Sequence, residues 1–225
     1  MDFLRGLVRH NNRDWFLPRK PIFEESVRQP MLRLVEALNA AMTAFASEHV
    51  TDPEKAVYRF YRDTRFSPDK TPYKDHIAAI FPRRGMARHQ GAGYYFEVSH
   101  KQVGIGGGVY MPLPETLLAI RKHIAAHHQD LRRIRKSSAL RRLFGEMSGE
   151  QLSRVPKGFD AADPAADLLR YKQFLYYVEL PADLATTPAL FREILARFRA
   201  MAPFMDFLNA PLVSPKRRIE TDLFI

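Results

Sequence analysis

Between Asp52-Pro53 and Pro112, four short segments follow one another with no helix between them: VYRFYRD (57–63), HIAAIF (76–81), YYFEVSH (94–100) and QVGIGGGVYM (102–111). Each is rich in aromatic or β-branched residues and is bounded by Gly, Pro or polar turns, which is the composition of strands. Consecutive strands without intervening helices require an antiparallel sheet rather than a βαβ fold, and their spacing suggests a meander. FLYYVEL (174–180) reads as a fifth strand.

Helical periodicity flanks this block on both sides. Phe3, Leu4, Leu7 and Val8 form one stripe, which Asn11-Asn12 ends in a turn. Val27, Met31, Leu34, Val35, Leu38, Met42 and Phe45 recur every three or four residues, and Pro30 either kinks that helix or lies in its first turn. Pro112 and Pro114 open a helix that buries Leu117, Ile120, Ile124 and Leu131. It breaks or bends near Ser137-Ser138, then resumes from Ala139 to Phe144. A Pro- and Asp-rich loop over 156–172 leads into a short helix, and residues 186–209 form the last one, with Thr187 as N-cap and Pro188 at its first position. The fold class expected is α+β: one domain over 1–211 with an antiparallel sheet of about five strands between N- and C-terminal helices. Residues 212–225 are expected to be a mobile tail.

Composition narrows the chemistry. The chain has no cysteine, which excludes disulfides, thiolate metal sites, iron–sulfur clusters and cysteine nucleophiles. That fits a reducing cytosol. Asp2, Arg5 and Arg9 interrupt any apolar core of a signal peptide, and no run approaches the roughly 18 apolar residues of a membrane span. The expectation is a cytoplasmic protein with no membrane contact. Lys and Arg exceed Asp and Glu by 35 − 25 = 10, and residues 121–142 hold eight basic residues against one Asp, a local +7. Such a field attracts nucleic acid or an acidic partner protein. The plainer reading is the solvated face of a helix.

The sharpest candidate site is YRFYRDTRFSPDKTPYK (58–74). Ser67-Pro68-Asp69-Lys70 suits a type I turn, and Thr71-Pro72 holds the chain extended. A stiff loop carrying Arg62, Arg65, Lys70 and Lys74 is suited to an anionic, phosphate-bearing ligand, with Tyr58, Tyr61 and Tyr73 available for stacking. Tyr95 on the neighbouring strand is expected to join them in lining a pocket. Yet from Arg62 to Asp75 four positive charges face three negative ones, so the same residues also suit a self-paired network. Asp63, Asp69 and His76 are the candidate acid–base groups if the protein is an enzyme, for instance a hydrolase.

NNRDWF, YRDTRFSPDKTPYK, GYYFEVS followed by GIGGGVYMP, the Ile120-Arg121 pair and PKGFD together resemble the domain-of-unknown-function family 2461 of bacterial conserved hypothetical proteins. The resemblance runs over about residues 3 to 209. It implies a self-contained domain and carries no activity, cofactor or catalytic residue.

Other signals point to structure. GIGGG (104–108) lacks the Lys-Ser/Thr of a phosphate loop, and glycines in a strand usually permit a bulge or the close approach of another backbone. Glu115 near the next helix start would repel an anion there. His123 and His127 are one turn apart without the Glu of a zinc motif, so no metal site is expected, and no cofactor. PKGFD (156–160) has lid-like composition, and Trp15 reads as core.

Overall fold

The computed structural model describes residues 1–213 apart from positions 66, 87 and 89; residues 214–225, most of the expected tail, lie outside the described residues. One antiparallel sheet contains β1 (His76–Phe81), β2 (Gly93–Ser99), β3 (Gln102–Val109) and β4 (Phe174–Pro181), in the order β1-β2-β3-β4. Around it lie α1 (Asp2–Arg9), α2 (Gln29–Met42), α3 (Pro114–Arg135), α4 (Ser138–Phe144) and α5 (Ala189–Asn209). The α+β architecture stands as expected. Among the described residues, no helix is long and apolar enough to cross a membrane.

The sheet has four strands, not about five, because VYRFYRD forms none. Val57 makes an isolated bridge to Ala79 and Tyr61 one to Tyr73. After Tyr58 the chain leaves the sheet edge and pairs with its own return: the Arg62 amide donates to Pro72 O and the Lys74 amide to Phe60 O, both at 2.9 Å. The cause is Phe60, which packs against Phe23 with ring centroids 4.4 Å apart. Its burial partners are the N-terminal helices, so it cannot also face the sheet core. Two smaller details differ or resolve. Pro188 is the N-cap of α5, while the Thr187 hydroxyl donates backwards to Leu184 O. A π-helical turn, Glu24–Arg28, leads into α2, with Pro30 in the first turn of that helix.

Each strand's alternate residues divide between two faces. Ile77, Ala79 and Phe81 align with Val98, Phe96 and Tyr94, and then with Val103, Ile105 and Gly107. This inner face rests on α5: Phe198 packs on Phe81 and Tyr94, and Phe204 on Tyr176. A Cβ on Gly107 would collide with Met205 Cε, so its absence lets helix and sheet close together. The opposite face carries the site described below.

Three asparagines each grip both backbone groups of one distant residue. Asn11 holds Tyr73, Asn39 holds Thr51, and the fully buried Asn209 holds Ala92. Each donates its amide to the carbonyl and accepts from the N–H, as a neighbouring strand would. Loops without a ladder partner are thereby satisfied.

His49 is buried against Tyr94 and bonds Phe81 O through Nδ1 at 3.0 Å. That ring nitrogen must donate, while Nε2 is buried with no partner among the described residues, and burial disfavours the charged ring. Burial holds its pKa below the ordinary 6.5. The unfolded chain therefore binds this proton more readily than the folded one. Stability from this group is complete above pH 6.5 and declines as pH falls from there toward the lowered folded value. Thermal melts between pH 7.5 and 5 are expected to show a smaller fall for His49→Gln than for the unsubstituted protein.

Candidate functional site

The outer sheet face opens as a cavity of about 590 Å³. In its central row, Ile80, Tyr95, Gly106 and Tyr177 are cross-strand neighbours; the next row is Ala78, Glu97, Gly104 and Glu179. Gly106 leaves a floor without side chains. The ring of Tyr177 lies down across β3, where a Cβ on Gly104 would overlap its hydroxyl. At Gly108 the backbone itself requires glycine, with φ of 127° and a Cβ position that overlaps Phe174 O. The glycine strand therefore seats a tyrosine and fits the β4 backbone. Gly106 and Gly108 also border the cavity.

One wall is rich in acceptors. Tyr95 donates to Glu97 Oε2 at 2.5 Å and Tyr177 to Oε1 at 3.1 Å. His76 Nε2 lies 3.8 Å from the same carboxylate, and its Nδ1 is 2.8 Å from Asp75. Burial first, and the nearby Glu97 second, push the Tyr177 phenol up to about 12 and the Tyr95 phenol upward as well. Both hydroxyls thus stay protonated and committed to Glu97.

A second group of residues is cationic. Lys74 Nζ lies 4.9 Å from the Tyr58 ring centroid, and the Arg88 guanidinium is at the same distance from that ring. Among the described residues Lys74 forms no ion pair. Burial, then Arg59 and Arg88, lower its pKa from the ordinary lysine value. A half-buried ammonium among like charges is a place where an anion is favoured.

A model of the conserved hypothetical protein family DUF2461 matches residues 1–207. The chain belongs to that family. No curated protein and no solved structure matches it.

This DUF2461 chain distributes the residues of 58–76 between two places. Lys74, His76 and Tyr95 border the cavity, together with Tyr58. The tip of the loop is tied to itself. Arg62 bonds Asp69 at 2.5 Å and the Thr71 hydroxyl at 3.0 Å. Arg65 grips Asp63 at 3.0 and 2.7 Å, and Lys70 donates to Thr64 O at 2.8 Å. Arg65 holds the Asp63 carboxyl at about 2, which makes it a weak base at neutral pH. Asp69 is likewise held below its ordinary value, by the Thr71 amide first. Tyr73 is buried, stacked on Phe16 at 4.0 Å, and fastens the loop to the N-terminal helices.

Elsewhere in this DUF2461 chain, much of the basic stretch 121–142 is paired. Arg121 is buried and donates to Tyr171 O; Arg132 grips Asp167 at 3.1 and 2.6 Å; Arg133 meets Asp130; Arg135 and Arg141 share Glu146. His123 packs between His127 and Phe207. Residues 156–160 are not among those lining the cavity, whose far rim is Ser148, Leu175 and Tyr110. Sequence reasoning missed Glu97 and Tyr177. Their signal was the period-2 alternation of GYYFEVS and FLYYVEL, which sends Tyr95 and Glu97, and Tyr177 and Glu179, to one face.

Proposed function

We propose that this DUF2461 protein binds an anionic, phosphate-bearing small molecule in the cavity over the glycine strand. Lys74 receives the anionic group, and the tyrosines receive a flat or apolar body. The observation carrying this reading is Lys74 itself: a cavity-lining ammonium beside Tyr58 and Arg88, without an ion pair among the described residues. Arg62, Arg65 and Lys70 have a supporting role, because their bonds within the loop stiffen the segment that presents Lys74. The cavity volume of about 590 Å³ suits a small molecule. Polynucleotide binding is less favoured, since Arg121, Arg132 and Arg135 in the basic stretch are already engaged.

A second reading, an enzyme such as a hydrolase acting on that ligand, is favoured by one contact. Asp75 fixes His76 through Nδ1 and leaves Nε2 at the cavity, the arrangement of an oriented general base.

Phenyl phosphate combines an anion with a ring and is the simplest probe. Millimolar phenyl phosphate is expected to raise the thermal midpoint, and inorganic phosphate at the same concentration to raise it less. No stabilisation by either compound would count against the proposal.

A further inference from the structure

Two kinds of bonding group face the cavity. Where Tyr95 and Tyr177 border it, backed by Glu97, the cavity offers acceptors. Glu97 receives the protons of Tyr95 and Tyr177, so each hydroxyl offers a cavity occupant only lone pairs. Gln102 also reaches the Tyr177 hydroxyl, which leaves Tyr95 as the freer of the two. His76 bonds Asp75 through Nδ1 and borders the cavity, with Nε2 3.8 Å from Glu97. Around Lys74 the cavity offers donors and positive charge.

Lys74 lies two residues before His76 and four before Ala78, the cross-strand neighbour of Glu97, so cation and acceptors share one cavity wall. Around them lie the exposed ring face of Tyr177, the edge-on pair Tyr58 and Tyr95 at 6.5 Å, and the apolar side chains of Ala78, Ile80 and Leu175. Such walls favour a flat ring over a polyol.

We infer that the ligand is a mononucleotide, with its phosphate at Lys74, its heterocycle on Tyr177, and N–H or O–H donors of base or ribose on the acceptor oxygens of Tyr95 and Tyr177, whose protons Glu97 holds. This inference rests on the anion-binding reading above and adds the requirement for donors. Selection follows from the chemistry. A ring without donors leaves those oxygens unmatched once water is displaced, and unmatched buried acceptors weaken binding.

Calorimetric titration separates the two proposals. Four nucleoside monophosphates, ribose 5-phosphate and phenyl phosphate are each titrated into the unsubstituted protein, Glu97→Gln and Glu97→Ala. The Glu97→Gln change replaces one acceptor oxygen by a donor amide. Glu97→Ala frees both phenol protons to turn toward the cavity while keeping the tyrosine rings, and so provides a second route if the first variant folds poorly. At least one nucleotide is expected to bind ten-fold or more tightly than phenyl phosphate or ribose 5-phosphate. Either variant is expected to lose ten-fold for that nucleotide while changing phenyl phosphate by less than two-fold. If phenyl phosphate or ribose 5-phosphate matches the best nucleotide, or if the variants weaken all ligands equally, the mononucleotide assignment fails and anion binding survives. If none of the compounds binds, both fail.

Discussion

Asn209→Leu is expected to lower stability by about 2–4 kcal/mol, the cost of leaving two buried backbone groups without partners. In a chain of this size that corresponds to a fall in Tm of about 5–15 °C. Asn209 is fully buried at the end of α5, where it accepts from the Ala92 N–H at 2.9 Å and donates to Ala92 O at 3.0 Å. Leucine keeps the volume and removes both bonds, so the loss isolates hydrogen bonding from packing. Ala92 stands between Gly91 and Gly93, which border the cavity. The variant is therefore expected to bind phenyl phosphate more weakly at temperatures where it is still folded. Differential scanning calorimetry with and without the ligand checks both effects; a Tm within about 2 °C of the unsubstituted value would contradict the account of the clamp.

What the chain discloses about itself depends on the range of each interaction. HIAAIF, YYFEVSH, QVGIGGGVYM and FLYYVEL are strands where their composition placed them, because β-branched and aromatic residues suit a pleated surface whatever packs on it. VYRFYRD has the same composition and fails, since Phe60 belongs to a cluster with Phe16, Phe23 and Tyr73, residues drawn from the N-terminal helices and the returning loop. The near-cancellation of charge from Arg62 to Asp75 did foreshadow the paired tip, because those partners lie two to seven residues apart. Glu97 meets Tyr177 across 80 residues and Asn209 meets Ala92 across 117. Strand register and helix docking bring such pairs together; local alternation assigns Glu97 and Tyr177 a face but does not pair them.

Lys74→Ala is expected to reduce phenyl phosphate affinity by about 10- to 100-fold, the loss of one charge-assisted contact worth about 1.5–3 kcal/mol. Lys74→Glu is expected to abolish measurable binding by placing a carboxylate at the same point. Stability moves the other way for the alanine variant: removing an ammonium that burial and two arginines disfavour leaves Tm unchanged or slightly raised. Raised affinity combined with lowered stability would contradict the role given to this residue. A titration series in salt adds a further check, because one partly buried contact predicts a shallow salt dependence where a polynucleotide would give a steep one.

The central claim concerns where the ligand lies. Backbone amide chemical shifts of isotopically labelled protein, followed during a titration with phenyl phosphate, locate it directly. The account predicts that the largest changes fall on Lys74, His76, Tyr95, Gly106 and Tyr177, the residues bordering the cavity. Changes confined to residues 121–142, or to the loop tip at 62–70, would contradict it.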